Sequence, residues 1–132
     1  MFYLSKKERD ELISHSKSES PKEVCGILAG KEGKVQKIYQ MRNTDESAKT
    51  FLMDPKEQLT VMKEIRNLGL DMVGIYHSHS ETEAYPSAHD VKLAFYPECS
   101  YVIVSIKDKD KPSIRSFKIV DGKITEEEVI IK

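Results

Sequence analysis

The feature that most constrains the fold is a nearly all-apolar run over Leu70–Tyr76, which leads directly into the triplet His77–His79. A run of this length with a central glycine is typical of a strand that is covered on both faces. A helix precedes it, because Asp54 has N-cap chemistry, Pro55 suits the first helical turn and Gly69 stands where a helix ends. A helix followed at once by a buried strand predicts a mixed α/β layer fold.

Further helices and strands are predicted on both sides of this pair. A capping-box pattern predicts a short first helix, and an N-cap pattern predicts a third one that Pro97 ends. Glycine-containing turns between β-rich segments predict a hairpin after the first helix and a closing meander. The helices are expected to begin at Ser5, Asp54 and Ser87, the last running through Phe95, and the strands to cover residues 24–29, 35–41, 50–53, 70–76, 101–106, 114–120 and 124–131.

Spacing along the second helix indicates which of its side chains are buried. An apolar side chain recurs at every third position, and this stripe is expected to lie in the core along Leu59, Met62 and Ile65, with Leu68 continuing the pattern. The two cysteines, Cys25 and Cys99, form no CxxC pair and are too few for a disulfide scaffold. Both are expected to be reduced and buried.

Composition and charge exclude several classes of protein. With 132 residues, 39% of them hydrophobic, the chain suits one folded domain. The 21 basic and 22 acidic residues nearly balance, so neither nucleic acid nor an acidic membrane is an expected partner. Apolar runs fall well short of the roughly 20 residues that a membrane helix needs. The first residues also lack the order of a secretory signal, so a cytoplasmic location is expected.

The residues suited to chemistry concentrate in one segment, where His77 and His79 precede Ser87 and Asp90. Two histidines at alternate strand positions leave the same face about 6.6 Å apart, so both imidazoles can reach one ion. Asp90 falls in the first turn of the next helix and can add a carboxylate oxygen. Three protein ligands with a fourth position open to water are typical of a catalytic zinc site.

Hydrolysis at such a site needs a base, and Glu23, just before the apolar segment Val24–Leu28, is the best candidate. It would take a proton from water and later pass it to a leaving amine. The Ser87 hydroxyl would donate to the developing oxyanion. His89 is not favoured as a ligand in place of Asp90, because adjacent helical side chains point about 100° apart.

Each of these residues also has a purely structural alternative. His77 and His79 would then be a hydrogen-bonded pair at the end of a strand, and Glu23 a solvated acid at a strand edge. Ser87 would only cap its helix, with Asp90 as the acid of a capping box. The combination of all five residues favours the catalytic interpretation.

The order of these residues resembles the JAMM motif of the MPN+ metalloproteases, of the short prokaryotic type. The matching pattern is Glu23, then His77-x-His79, then seven residues before Ser87 and two more before Asp90. The resemblance covers most of the chain and implies a cytidine-deaminase-like α/β fold, with a mixed sheet and flanking helices in a single domain over residues 1–132. In that family a zinc ion is held by two histidines and an aspartate, which correspond to His77, His79 and Asp90, while Glu23 is the base and Ser87 assists the tetrahedral intermediate.

The resemblance also implies a substrate class. Members cleave peptide or isopeptide bonds after the C-terminal Gly-Gly of ubiquitin-like proteins, and short prokaryotic members process sulfur-carrier proteins. We therefore expect a zinc metallopeptidase that holds an extended tail by strand addition. Related domains often pair, which makes a homodimer an expectation too. The alternative is a non-catalytic scaffold of the same fold. A nucleoside deaminase would need H-x-E together with P-C-x-x-C, and this combination is missing because the chain has no P-C-x-x-C.

Overall fold

One eight-stranded sheet organises the chain in the computed structural model, which describes residues 1–132. Three helices accompany the sheet. The helices are α1 (Lys6–Ser18), α2 (Pro55–Asn67) and α3 (Ala88–Lys92). The strands are β1 (Phe2–Leu4), β2 (Cys25–Lys31), β3 (Lys34–Met41), β4 (Asp71–His79), β5 (Ser100–Ser105), β6 (Ser113–Val120), β7 (Lys123–Glu127) and β8 (Val129–Ile131).

The predicted buried strand, β4, lies in the middle of the sheet. The spatial order is β7-β6-β5-β4-β2-β3-β1-β8. β4 runs antiparallel to β2 and parallel to β5, so both of its edges are paired. β8 also approaches β6, which leaves the sheet nearly closed on itself. This mixed α/β architecture confirms the predicted fold class.

The two faces of the sheet bury separate apolar clusters. On β4, Ile75 belongs to one cluster and its neighbour Tyr76 to the other. β5 alternates in the same way, with Ile103 on the first face and Val102 on the second. Side chains of alternating orientation are thus apolar on both sides, which confirms a strand covered on both faces. Both cysteines are free and buried, as predicted.

Capping residues fix the starts of the helices where the sequence predicts them. Ser5 and Glu8 form a complete capping box at α1. The Asp54 side chain accepts a hydrogen bond from the Lys56 amide at α2. Ser87 caps α3. No helix in the structure is both long enough and apolar enough to cross a membrane.

The predicted apolar stripe of α2 is only partly correct. Ile65 is buried, but Leu59 is 56% exposed and Leu68 is 53% exposed. Steps of three residues fall about 60° short of a full turn, so the stripe rotates around the helix by about 180° between Leu59 and Leu68. Val61, one turn before Ile65, packs against the core instead. The buried face of α2 therefore follows the four-residue spacing.

Three other predictions about elements are corrected. Residues 50–53 form no strand, since only a single bridge joins Met53 to Asn43. The predicted strand over residues 124–131 is two strands, because the chain leaves β7 at Glu128 and then runs beside β1. The third helix ends at Lys92, well before Pro97. The short first strand was not predicted at all, since its only partners are β8 and a single residue of β3.

Candidate metal centre

β4 carries both histidines of the predicted site at its C-terminal end. His77 and His79 are 2% and 5% exposed, and each is held in register by β5 on one side. Their side chains leave the same face of the strand, and their rings turn toward each other. The two Nε2 atoms are 3.2 Å apart. The structure therefore brings both imidazoles to one point, as the alternate spacing predicts.

Asp90 completes a triangle of ligand atoms. Its Oδ2 atom lies 3.0 Å from His77 Nε2 and 3.2 Å from His79 Nε2. These three side chains can hold a metal ion, since each offers one ligand atom and all three are buried. Two ligands about 2.0–2.1 Å from a tetrahedral zinc ion are themselves about 3.3 Å apart. The spacing of the triangle thus suits zinc coordination.

Hydrogen bonding around the triangle also favours a cation at its centre. His79 Nδ1 is 2.9 Å from the Glu83 carbonyl, to which it can only donate. In its neutral form the ring directs the lone pair of Nε2 toward the Asp90 carboxylate, so that two acceptors face each other. A metal ion between them would relieve this repulsion. A metal-bound histidine also commonly donates its other ring N–H to a backbone carbonyl, which fixes the orientation of the ring. The buried Asp90 Oδ1 atom has no partner.

The ionisation states of His77 and Asp90 agree with this interpretation, whereas in the metal-free site hydrogen bonds to Asp90 and Glu83 outweigh burial and raise the pKa of His79. Burial lowers the pKa of His77. Burial acts to raise the pKa of Asp90, but hydrogen bonds with His77 and His79 outweigh it and hold that pKa well below its usual range. A neutral imidazole and an ionised carboxylate are the forms that bind a metal.

Glu23 lies beside this centre with the properties of a general base. It precedes β2 and is 3% exposed, and its Oε1 atom is buried without a partner. Burial raises the pKa of Glu23 to about 8, while the charges of His79 and Asp90 act on it in opposite directions. A carboxyl group with a pKa near neutrality can both accept and return a proton.

Ser87 has the capping contact that the sequence offers as its alternative role. Its Oγ atom accepts a hydrogen bond from the Asp90 amide at 3.1 Å, and the Asp90 carboxylate accepts one from the Ser87 amide at 2.9 Å. The cap uses a lone pair of the hydroxyl oxygen and leaves its proton free. Capping and donation to an oxyanion are therefore compatible at this exposed serine.

Two neighbours of the site were not identified from the sequence. The Phe51 ring stacks on His77, with 4.5 Å between centroids and 24° between planes. Asn43 bonds to the backbone on either side of Phe51 and to that of Glu23. The short apolar stretch predicted as a strand over residues 50–53 was the only available signal for Phe51. Nothing in the local pattern indicated Asn43, because its partners are distant in sequence.

The remaining histidines lie outside the triangle. His89 is exposed, in agreement with the prediction that it does not replace Asp90 as a ligand. His15 is half-buried, and its Nδ1 lies 2.8 Å from the Tyr76 hydroxyl. The reason is that α1 packs on the face of the sheet from which Tyr76 projects.

Comparison with known proteins identifies curated relatives of this chain. The chain is 42% identical over 120 residues to the CysO-cysteine peptidase of Mycobacterium tuberculosis, a match that covers 89% of this chain and 82% of the relative. It is 36% identical over 115 residues to the desampylase of Pyrococcus furiosus, covering 87% and 80%. A probable TtuB-protein conjugate cleaving protease of Thermus thermophilus is 31% identical over 123 residues, covering 92% and 78%.

Solved structures and a family model agree with these relatives. A solution structure of a protein from Desulfitobacterium hafniense is 42% identical, with a TM-score of 0.90 over 100% of this chain and 93% of that chain. The fold is also that of a JAB1/MPN domain protein from Archaeoglobus fulgidus, with a TM-score of 0.64 at 21% identity over 98% and 99%. The family model described as prokaryotic homologs of the JAB domain matches residues 5–120. The chain therefore belongs to the prokaryotic JAB domain family.

Proposed function

We propose that this chain is a zinc-dependent metallopeptidase, with residues 1–132 as one catalytic domain. The observation that carries the proposal is the triangle of His77, His79 and Asp90 ligand atoms beside the buried carboxyl of Glu23. Similarity to a CysO-cysteine peptidase, a desampylase and a TtuB-conjugate protease supports it. We infer that the bond cleaved follows the C-terminal Gly-Gly of a ubiquitin-like or sulfur-carrier protein.

Each residue of the site has a distinct part in the proposed reaction. His77, His79 and Asp90 would hold the ion, which when bound supplies Lewis acidity toward a carbonyl oxygen and lowers the pKa of water. Glu23 takes the proton of the attacking water on its carboxylate and returns it to the departing amine. The Ser87 hydroxyl donates to the oxygen on which negative charge develops.

An apolar groove next to the centre suits the body of a protein substrate. Its walls include Leu52 and Phe95, which are 48% and 70% exposed, and its volume is about 130 Å³. The groove shares Phe51 and Leu93 with a narrow cavity lined by His77 and Asp90. The tail of a substrate bound in this groove can therefore reach the metal centre.

We infer that the reaction takes place in the cytoplasm, where Cys25 and Cys99 would stay reduced as the free thiols found here. A homodimer stays a prediction of the family resemblance. Light scattering on the purified chain tests the oligomeric state.

The test uses a small sulfur-carrier protein with a reporter fused after its C-terminal Gly-Gly. The zinc-loaded chain should release the reporter, and a matched carrier that ends in Ala-Val should stay intact. Glu23→Gln should keep the metal and lose about 10²- to 10⁴-fold in kcat, because it cannot accept a proton. A Glu23→Gln variant that cleaves normally would remove this residue from the mechanism, and an inert, zinc-loaded wild type would favour the scaffold.

A further inference from the structure

Asn43, which follows β3, uses its whole hydrogen-bonding capacity on the main chain. Its Nδ2 atom donates to the carbonyls of Glu23 and Thr50, both at 3.0 Å. Its Oδ1 atom accepts from the amides of Asp45 and Leu52, also at 3.0 Å. An amide side chain has two donor hydrogens and two acceptor lone pairs, so none is left over. Asn43 thus joins three stretches of backbone at one point.

The first of these stretches holds Glu23, which lies outside the strands of the sheet. β2 begins only at Cys25. The Glu23 amide donates to the Ser47 carbonyl at 2.8 Å, and the Glu23 carbonyl accepts from Asn43. Both main-chain polar groups of Glu23 are therefore held by the loop over residues 43–53. The next residue, Val24, is bonded through its amide and its carbonyl to Ser78 of β4. The loop and β4 therefore hold Glu23 from its two sides, and the direction in which its side chain leaves depends on both.

The second stretch holds the ring that covers His77. Asn43 bonds to the carbonyl of Thr50 and to the amide of Leu52, the two residues that flank Phe51. Phe51 is buried and stacks on the imidazole of His77. The side-chain amide of Asn43 therefore holds the backbone at Glu23 and also the backbone on both sides of Phe51, the residue that covers His77.

We propose that Asn43 is a positioning residue that orients Glu23 and holds Phe51 over His77. The expected effect of Asn43 on turnover rests on the proposed function. Its part in holding the backbone of Glu23 and Phe51 does not. Asn43 does not line the apolar groove or the narrow cavity at the metal centre. Its loss should therefore lower kcat and leave KM nearly unchanged, since a displaced base slows the reaction without removing a contact to the substrate.

Asn43→Asp tests the role with a side chain of the same shape. A carboxylate can still accept from Asp45 and Leu52, but it has no hydrogen to donate to Glu23. We expect kcat to fall about 10- to 100-fold, with KM changed less than about threefold. Asn43→Ser, which is uncharged, should act in the same direction if the carboxylate prevents folding. Thr44→Val is the matched control, because it removes a bond to the Leu52 carbonyl in the same loop and leaves Asn43 in place.

A double-mutant cycle with Glu23→Gln separates positioning from general damage. If Asn43 acts through Glu23, adding Asn43→Asp to Glu23→Gln should lower kcat further by less than about threefold. A full multiplicative loss in that background would overturn the proposal, because the effect would not pass through Glu23. Normal kcat in Asn43→Asp alone would overturn it as well.

Hydrogen exchange of the metal-free chain provides a readout that needs no substrate. The Glu23 amide should exchange at least about tenfold faster in Asn43→Asp than in the wild type, and at the wild-type rate in Thr44→Val. Unchanged protection in Asn43→Asp would overturn the role of Asn43. If the wild type cleaves no carrier, the proposed function fails, and the exchange rates alone decide whether Asn43 holds Glu23.

Discussion

At the scale of single residues, one carboxylate connects the metal centre to the helix that presents it. Asp90 Oδ2 faces His77 and His79 and also accepts the hydrogen bond of the Ser87 amide. The capping box thus holds Asp90 close enough to β4 for its carboxylate to share one ion with both histidines. Sequence spacing alone presents capping and metal binding as alternatives, whereas the structure shows one side chain with the geometry for both.

Two substitutions of Ser87 distinguish a helix cap from a group that acts in the reaction. Ser87→Ala removes the cap and the hydroxyl, and it should lower the free energy of unfolding by about 1 kcal/mol. Ser87→Gly also removes the hydroxyl but costs only about a few tenths of a kcal/mol as an N-cap. We expect both variants to lose about 10²- to 10³-fold in kcat. Steady-state kinetics and urea unfolding measure the two effects, and a fully active Ser87→Gly would reduce Ser87 to a cap.

At the scale of elements, α1 is tied to the central strand through a titratable group. His15 Nδ1 lies 2.8 Å from the hydroxyl of Tyr76, which directly precedes His77 on β4. Burial lowers the pKa of His15 below its usual value of 6.5, and the charge of Glu19 only partly offsets this. The contact therefore makes the packing of α1 on the sheet sensitive to acid.

The sign of that sensitivity follows from proton linkage. A histidine with a lowered pKa in the folded state binds more protons when the chain unfolds, so its contribution is present above pH 6.5 and is lost as the pH falls. His15→Gln should therefore show a smaller loss of stability than the wild type between about pH 7 and pH 5. Urea unfolding of both metal-free proteins measures this difference. Parallel pH profiles would contradict the assignment.

Some elements could be predicted from the sequence and others could not. The starts of the three helices and the strand that carries His77 follow from local signals, namely caps, glycines and an apolar run. β1 and β8 have three residues each and exist because they pair with each other across the length of the chain. Asn43 escaped prediction for the same reason, since three of its four bonds reach residues at least seven positions away, which no local pattern connects.

At the scale of the whole molecule, the apolar groove lies on the same side as the metal centre, and its exposed residues do not contribute to the core. Leu52 and Phe95 are exposed, while Phe51 beneath them is buried against His77. The sequence predicts a brief strand around Leu52 and the end of a helix at Phe95, with no sign that these two residues meet. A surface of this kind adjoining a catalytic cavity is typical of a docking site.

Phe95→Ser should therefore raise KM for a carrier-protein substrate by about tenfold, a loss of about 1.4 kcal/mol of binding energy. A short peptide with the same tail lacks the folded part of the carrier, so its KM should change less than about threefold. Leu68→Ser is the matched control, because Leu68 is also exposed but follows α2 and does not line the groove. Equal effects of the two substitutions on KM for the carrier would contradict docking at this surface.

The central claim is that His77, His79 and Asp90 form a metal site, and elemental mass spectrometry of the purified chain tests it most directly. Asp90→Asn is the most informative variant, since its amide oxygen can still accept the cap bond from Ser87. We predict about one zinc per chain in the wild type. His77→Ala and Asp90→Asn should both lose the metal, while Asp90→Asn keeps the helical content of the metal-free protein. A folded wild type that contains no zinc and takes up none when zinc is added would contradict the account.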